Sequence, residues 1–313
     1  MELRQLRHFV AVVDLGNLSR AADRIAISQP ALTRSIKNLE DSLRVQLLER
    51  KPRGVVATEA GLALYHHASV VLNACQQMTR EVRERERGIT GSVSLGIASM
   101  FSRHIINDVV VSLASEHPRI ALTITSGFYE ELIRNMSDGR LDLIFSNFPH
   151  VAVTSELRLE PLLRVKSPIV VGDRHPVARR KQVSRGDLID QRWVIVDQPH
   201  AQDALQAAFS AEGLPGPLSL LRTSSLNLMI ALVESGGFVS QIPEHLIASQ
   251  LTRGRIRVLP IAGGTVERHA GLIYRDFSLG RPGVAHVVDA LRGACAKFKP
   301  GEATSDGTPP IHD

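Results

Sequence analysis

The sequence predicts an N-terminal all-α winged helix-turn-helix, one long linker helix, and a C-terminal α/β domain with a mostly parallel sheet. Helical spacing of apolar residues and many basic residues characterise 1–58, and a polar helical pattern fills 59–90. From 91 to 298, short β-rich runs alternate with helical segments, which indicates βαβ units. The last segment, 299–313, has almost nothing to bury and is expected to be a disordered tail.

The composition excludes several classes of protein. The hydrophobic fraction of the 313 residues is 43%, which is typical of a globular chain and argues against wholesale disorder. Two cysteines in a chain this long do not make a disulfide scaffold, and they suit a reducing compartment. No apolar run approaches the roughly 18 residues that span a membrane, and charges interrupt the N-terminus where a signal peptide is apolar. These observations predict a soluble cytoplasmic protein without a membrane partner.

Two short helices are predicted at the start of the chain. The spacing i, i+3, i+4, i+7 predicts a first amphipathic helix that buries Leu6, Phe9, Val10 and Val13. Gly16 ends this helix, and Ser19 is expected to cap the second one. The second helix is expected to bury Leu18, Ala21, Ala22 and Ile25. Its adjacent alanines are small enough for another helix to approach closely.

A third helix is predicted from about residue 29 to residue 43. Ser28 can cap it, and Pro30 fits its first turn because the missing N–H costs nothing there. The residues that it is expected to bury are Leu32, Ile36, Leu39 and Leu43. The opposite face of this helix carries Gln29, Thr33, Arg34 and Lys37.

Two helices joined by a tight turn, the second with such a polar face, form a helix-turn-helix pattern. The second helix of this motif lies in the major groove, where glutamine pairs with adenine and arginine with guanine. Lys37 is better suited to a phosphate. The alternative interpretation is a solvated polar face on an ordinary helical bundle.

A basic hairpin is predicted after the third helix. Residues 45–48 and 55–57 are expected to be short strands, and the turn between them carries Arg50, Lys51 and Arg53. Ten basic and six acidic residues lie before residue 59, so this part carries a charge of +4 out of the chain's +5. A concentrated basic region beside a recognition helix is typical of contact with the DNA backbone.

These segments together resemble the N-terminal signature of LysR-type transcriptional regulators. The resemblance is carried by Phe9-Val10-Ala11-Val12, Leu18-Ser19-Arg20-Ala21-Ala22, Ile27-Ser28-Gln29-Pro30-Ala31-Leu32-Thr33-Arg34-Ser35-Ile36, Leu39-Glu40 and Thr58-Glu59-Ala60-Gly61. It implies that Gln29, Pro30, Thr33 and Arg34 meet DNA in the major groove, and that Arg50 and Arg53 reach the minor groove or its phosphates. The expected DNA-contacting set is completed by Ser28, Lys37 and Lys51. Leu48 departs from the family, which usually has Phe there, and is expected to repack without loss of function.

The linker helix carries a heptad pattern that predicts pairing with a second copy of the chain. Thr58 is expected to cap it. The apolar seam consists of Leu64, Ala68, Val71, Cys75, Met78 and Val82. The resemblance implies antiparallel pairing of this helix in a homodimer or homotetramer. Two alternatives stay open: the charged end of the helix is simply solvated, and Cys75 is either a small apolar residue or a redox group.

The C-terminal pattern predicts two α/β sheets side by side with a cleft at the strand ends. The resemblance implies a periplasmic-binding-protein-like (type 2) effector domain with two subdomains. Subdomain I is expected at about 91–162 and 267–298 and subdomain II at about 163–266, so the chain crosses between them twice.

Strand ends and helix starts supply the candidate ligand contacts. The effector-binding candidates are Ser99, Met100, Phe101, Ser102, Ser126, Asn147, Thr223, Ser224, Ser225, Gly237 and Phe238. Hydroxyl groups and free N–H groups at helix starts can bind an anion. At any single position, the alternative is that these Ser and Thr residues only cap helices. The pattern calls for no cofactor or metal and leaves the identity of the co-inducer open.

The preferred interpretation is a ligand-responsive transcription factor whose partners are an operator in double-stranded DNA, RNA polymerase, a small-molecule effector and further copies of the chain. Motifs for zinc hydrolysis, dinucleotide binding, phosphate cradling and serine hydrolysis do not occur, which argues against an enzyme. Two alternatives remain: a small-molecule binding protein or enzyme whose N-terminal bundle only dimerises, and an architectural DNA binder that ignores ligands.

Overall fold

The computed structural model describes residues 1–52, 54–86, 91–101, 105–148 and 157–298. The predicted DNA contact Arg53, the predicted effector contact Ser102 and the expected tail 299–313 therefore lie outside the described residues.

Three helices and a two-stranded wing form the N-terminal part. Its elements are α1 (Leu3–Leu15), α2 (Leu18–Arg24), α3 (Gln29–Leu43), β1 (Leu48–Lys51) and β2 (Gly54–Ala57). The two strands pair antiparallel, from Leu48 opposite Ala57 to Lys51 opposite Gly54. The helices enclose an apolar core in which Phe9, Leu32 and Leu39 are fully buried.

The predicted cap of α2 is wrong by two residues. The side chain of Asn17, not Ser19, accepts the N–H of Arg20 at 3.0 Å, so α2 begins at Leu18. Asn17 is the residue in extended conformation directly after the left-handed turn at Gly16, which is where a capping side chain can reach back to the helix.

The predicted first strand of the wing also starts too early, because the chain turns after α3. Arg44 adopts a left-handed conformation with φ 55, and the Glu40 carboxylate accepts the N–H groups of Leu47 and Leu48 at 2.8 and 3.2 Å. These bonds bend residues 45–47 into a turn, so that β1 begins at Leu48. Leu43, which was expected to be buried, is 37% exposed because it lies where the chain leaves the core.

The linker helix α4 (Glu59–Glu86) is docked onto the N-terminal part at its start. Thr58 caps it as predicted, with its Oγ1 accepting the N–H of Gly61 at 3.0 Å. Gly61 lies so close to this part that a Cβ would stand 2.0 Å from the carbonyl oxygen of Leu47. Further along, the Tyr65 hydroxyl donates to the Asp14 carboxylate on α1 at 2.6 Å.

The C-terminal part is built on a nine-stranded sheet. In chain order its elements are β3 (Gly91–Ala98), α5 (Ile105–Glu116), β4 (Ile120–Gly127), α6 (Tyr129–Ser137), β5 (Leu143–Asn147), β6 (Arg158–Gly172), β7 (Arg192–Val196), α7 (Pro199–Ser210), β8 (Ser219–Thr223), α8 (Leu226–Glu234), β9 (Val239–Gln241), α9 (Ala248–Thr252), β10 (Ile256–Val258), β11 (Thr265–Tyr274) and α10 (Pro282–Lys297). The strand order is β4-β3-β5-β11-β6-β9-β7-β8, with β10 paired to β6. Neighbours within β4-β3-β5 and within β9-β7-β8 are parallel, whereas the pairings of β6, β10 and β11 are antiparallel.

Two long strands join the halves of the sheet. β6 and β11 pair with each other from Pro168 opposite Thr265 to Arg158 opposite Tyr274. The two crossings between the halves that the sequence predicts are parts of these strands, because each strand supplies the backbone hydrogen-bonding partner that the other needs. At the register shift a Cβ on Gly271 would stand 2.0 Å from the Glu160 carbonyl oxygen, so this close approach requires glycine.

Both halves of the sheet are covered by helices on their two faces. In the first half, α5 and α10 share a core with Leu95 and Leu272, and α6 covers Ile144 on the opposite face. In the second half, α7 packs through Phe209 near Trp193, while α8 covers Val194. Among the described residues, no helix is both long enough and apolar enough to cross a membrane.

Candidate DNA interface and ligand cavity

The outer face of α3 is open to solvent because the opposite face is committed to the core. Ser28 caps α3, and its Oγ accepts the N–H of Ala31 at 3.4 Å. Leu32, Ile36 and Leu39 are buried on the inner face. The predicted contacts that lie exposed on or before α3 are Ser28, Gln29, Pro30, Arg34 and Lys37.

Thr33 differs from its neighbours on this helix. Its side chain is only partly exposed, and its hydroxyl oxygen is buried without a hydrogen-bond partner. Thr33 is therefore the least accessible of the predicted DNA contacts that the structure describes.

The wing presents two further cations at a fixed distance from α3. Arg50 and Lys51 are exposed at the end of β1, and Lys51 forms an ion pair with Glu49 at 2.7 Å. The hairpin is attached to the turn after α1, because the N–H of Val55 donates to the Gly16 carbonyl at 2.8 Å. Gly54 has φ +136, and a Cβ there would stand 2.3 Å from the same oxygen, so this contact excludes larger residues.

The C-terminal part contains a cavity of about 170 Å³ between the two halves of its sheet. β6 and β11 contribute Val165, Ser167, Val266 and Arg268 to its lining. The first half contributes Ala98, Ser99, Met100, Gly127, Phe128, Tyr129 and Asn147. The second half contributes Trp193, Ile195, Val196, Gln198, His200, Ala201, Ala204, Leu205, Leu226, Met229, Gln241 and Pro243.

Some predicted effector contacts lie at this cavity. Ser99, Met100 and Asn147 line it directly. Ser224 and Ser225 line a more open depression that shares Ser99 and Met100 with the cavity. Ser225 also caps α8 by accepting the N–H of Leu228 at 3.2 Å, as the capping alternative anticipated.

Ser126 and Thr223 do not line the cavity. Ser126 lies behind Ser99, to whose Oγ its hydroxyl donates at 3.4 Å. Thr223 Oγ1 accepts the N–H of Ser225 at 3.1 Å, which makes it part of the turn before α8.

The predicted effector contacts Phe101, Gly237 and Phe238 do not line this cavity. Phe101 is fully buried and packs edge-to-face against Phe145 with ring centroids 4.9 Å apart. Phe238 packs against the core under α8, and Gly237 is exposed outside the cavity. Both phenylalanines follow the rule that large aromatic side chains stabilise cores by burying apolar area.

The lining residues that the sequence did not predict lie on β6 and β11, which form the floor of the cavity, and on the second half of the sheet. Arg268, on β11, is the most informative of them: its Nε is buried with no hydrogen-bond partner, and burial lowers the pKa of its guanidinium. Its strand alternates, since Glu267 points outward and pairs with Arg164 at 3.2 Å. Successive side chains of a strand point to opposite faces. This alternation, applied to the segment that crosses between the halves, is the signal that could have placed Val266 and Arg268 on the same inner face.

The two halves of the sheet also contact each other beside the cavity. His200 at the start of α7 pairs with Glu130 at the start of α6, with Nδ1 and Oε1 2.8 Å apart. His245 of the second half is buried, its Nε2 lies 3.0 Å from the Met100 carbonyl oxygen, and its ring stacks on Phe101 at 5.4 Å. Side chains from both halves therefore meet around the enclosed space.

The predicted seam of α4 divides into two parts. Ala68 is buried and Leu64 half-buried against the N-terminal core, so these two positions are used within the chain. Val71, Met78 and Val82 are 41%, 61% and 59% exposed and remain available to a second copy.

Neither cysteine lies at the cavity. Cys75 is on α4, and Cys295 is buried on α10, where burial raises the pKa of its thiol to about 12. Within the described ranges, no group of three or more His, Cys, Asp or Glu side chains converges to hold a metal ion.

Two family models match the chain. The model described as "Bacterial regulatory helix-turn-helix protein, lysR family" matches residues 3–62. The model described as "LysR substrate binding domain" matches residues 86–296, more than half of the chain. The first match contains the α3 face and the wing, and the second contains the cavity.

Individual relatives align along nearly the whole chain. The HTH-type transcriptional regulator GbpR of Azospirillum brasilense is 27% identical over 299 residues, covering 94% of this chain and 86% of that protein. The DNA-binding transcriptional dual regulator OxyR of Escherichia coli K12 is 25% identical over 293 residues, covering 93% and 95%. The solved structure of full-length CbnR complexed with its target DNA shares the fold, with a TM-score of 0.63 at 22% identity and coverage of 94% and 100%.

Proposed function

Since the chain belongs to the LysR family of DNA-binding transcriptional regulators, we propose that α3 reads its operator and that the cavity between the two sheet halves receives its effector. The observation that carries this proposal is the open polar face of α3, whose other face is fully used by the core. We assign 1–58 to DNA binding, 59–90 to pairing of two copies, and 91–298 to effector binding.

Each exposed residue of the DNA-binding surface has a chemistry that suits one part of a duplex. Gln29 can pair bidentately with adenine and Arg34 with guanine in the major groove. Lys37, Arg50 and Lys51 suit phosphates, since a phosphate contact needs charge and no particular base. The partly buried Thr33 is expected to add least.

The effector acts by changing the relative orientation of the two halves of the C-terminal part. A molecule that contacts both walls of the cavity favours the arrangement in which those walls are closest. Because the halves belong to one domain following α4, such a shift changes the spacing of two DNA-binding parts in a dimer. RNA polymerase is the partner that would respond to the resulting change in the DNA. A regulator of this kind acts in the cytoplasm, where the chromosome lies. It works by binding DNA and effector and catalyses no reaction.

Several relatives are named "Hydrogen peroxide-inducible genes activator". We do not propose a response to peroxide for this chain. A thiol reacts with peroxide as the thiolate, so a raised pKa makes it inert at neutral pH. Burial gives Cys295 that raised pKa, and Cys75 lies on the linker helix away from the cavity. We therefore propose a non-covalent effector.

The proposal is tested by gel shift of the full chain on DNA upstream of the regulator's own gene and on random duplex, across a range of salt. Arg34→Ala should weaken operator binding by about 1–3 kcal/mol and leave random DNA almost unchanged. Lys37→Ala, the matched control one turn along the same face, should weaken both DNAs similarly and reduce the salt slope by about 1. Operator binding by Arg34→Ala equal to that of the parent at physiological salt would contradict the proposal.

A further inference from the structure

Arg268 is a half-buried cation that pairs with no carboxylate among the residues that the structure describes. Other arginines of the C-terminal part have carboxylate partners: Arg158 with Asp276, Arg164 with Glu267, Arg185 with Glu212, Arg281 with Asp142 and Arg292 with Glu160. Arg268 has its Nε buried in the cavity floor with no hydrogen-bond partner. A guanidinium stays protonated at neutral pH, so the floor carries a positive charge whose burial is costly unless a partner arrives.

The described lining offers no residue to neutralise this charge. No Asp or Glu is among the described residues that line the cavity, and Glu130, which lies beside it, contacts His200 Nδ1 through Oε1. The other polar side chains in the described lining are Ser99, Tyr129, Asn147, Ser167, Gln198, His200 and Gln241. A bound molecule with one negative charge would balance the site.

The remainder of the lining is apolar and the space is small. Trp193, Ile195, Met229 and Val266 face a volume of about 170 Å³, below the roughly 300–1,000 Å³ of pockets for drug-sized ligands. A highly charged or extended molecule would leave polar groups unpaired against these side chains. The lining instead fits a compact hydrocarbon body with one polar end.

We propose that the cavity binds a small organic monocarboxylate with an apolar body, and that Arg268 binds its carboxylate. This inference rests on the proposed role of the cavity as the effector site. The planar guanidinium presents paired N–H donors that match the two oxygens of a carboxylate. The apolar body lies against Trp193 and its neighbours, and the amides and hydroxyls of both walls fix its orientation. A ligand of this kind bridges the floor and the two halves of the sheet at once.

The first test measures thermal unfolding of the full chain with benzoate, cyclohexanecarboxylate or hexanoate at about 10 mM, which fills most of a site with a Kd of about 1 mM or tighter. Benzamide, the uncharged counterpart of benzoate, and inorganic phosphate are the comparison probes. At least one carboxylate should raise Tm, and benzamide and phosphate should not. No shift with any of the three carboxylates, or an equal shift with benzamide, would overturn the proposal.

The second test uses Arg268→Met, which retains the bulk of the side chain and removes the charge. It should weaken carboxylate binding by about 10- to 100-fold, measured by calorimetry, whereas Arg257→Met at an exposed position on β10 should bind like the parent. Without ligand, Arg268→Met should have a Tm equal to or above that of the parent, because it no longer buries an unpaired charge. A lower Tm without ligand, or unchanged binding, would contradict the assignment.

Gel shift separates this inference from the proposed function. If no carboxylate binds but Arg34 still governs operator choice, only the ligand class is wrong. If carboxylates bind through Arg268 but the chain shows no operator preference, the regulator proposal is wrong and the ligand site stands.

Discussion

At the scale of single residues, the Glu40 carboxylate connects the start of the wing to α3. It comes from α3 and accepts N–H groups of Leu47 and Leu48, both of which are buried. A carboxylate that accepts two backbone N–H groups satisfies donors that would otherwise be buried without a partner. One side chain therefore connects α3 to the hairpin that carries Arg50 and Lys51.

Replacing Glu40 tests this connection. Glu40→Ala leaves two buried N–H groups without a partner and should lower the free energy of unfolding by about 1–3 kcal/mol. Glu40→Gln, which keeps an amide oxygen as acceptor, should lose less. Urea unfolding of both variants and the parent measures the difference. Equal midpoints for the alanine variant and the parent would show that these hydrogen bonds do not hold the wing.

The ligand residues show what a sequence can and cannot predict at this scale. Ser99, Met100 and Asn147 line the cavity and could be picked out from the sequence because they lie at the ends of parallel strands, whose carboxyl ends meet at one edge of a sheet. Arg268 was missed because it lies in the middle of a strand. Its position depends on β11 crossing both halves of the sheet, and that pairing joins residues about a hundred positions apart in the chain.

At the scale of elements, α10 is fixed to β6 by a charged contact. Arg292 on α10 donates from Nε and Nη2 to the two oxygens of Glu160 at 2.8 and 2.9 Å, and the Tyr274 hydroxyl on β11 donates to the same carboxylate at 3.2 Å. The hydrogen bond from Arg292 lowers the pKa of Glu160 below its ordinary value of 4.5. The charged form of Glu160 is thus the form that stabilises this helix packing.

A pH series should reveal this contact. Because the folded-state pKa of Glu160 is lowered, its contribution to stability is complete above pH 4.5 and is lost as the pH falls through the folded-state value. The parent should exceed Glu160→Gln in free energy of unfolding at neutral pH, and the gap should narrow in acid. Urea unfolding of both proteins at several pH values measures the gap. A gap that is the same at all pH values would contradict the assignment.

Elements were predicted more reliably than the connections between them. The apolar spacing of α3 followed from periodicity, since packing of an amphipathic face governs a helix wherever it lies. The start of the wing could not be predicted from periodicity, because the hydrogen bonds of Glu40 and the left-handed conformation of Arg44 determine where β1 begins. Neither a side-chain hydrogen bond of this kind nor a left-handed non-glycine residue leaves a periodic signal.

At the scale of the whole molecule, the proposed pairing of two chains depends on the exposed apolar side chains of α4. Leu64 and Ala68 pack onto the N-terminal core, which leaves Val71, Met78 and Val82 as the apolar stripe further along. Docking the start of α4 while leaving its later turns open makes the helix a rigid arm. Two such arms joined along the stripe would hold two copies of α3 at a fixed separation, and a two-fold dimer calls for a two-fold operator.

The proposal that a dimer reads DNA through two copies of α3 is tested most directly by selecting duplexes from a random pool with the full-length chain. Enrichment should yield a pseudo-palindrome whose half-sites lie on one face of the duplex, about 10–10.5 base pairs apart or a multiple of that. A Val71→Asp, Met78→Asp double variant should select isolated half-sites, whereas Gln76→Asp, at an exposed position on the face of α4 opposite to Val71 and Met78, should select the full palindrome. Enrichment of no sequence, or of a lone half-site by the parent protein, would contradict a dimer that reads DNA through α3.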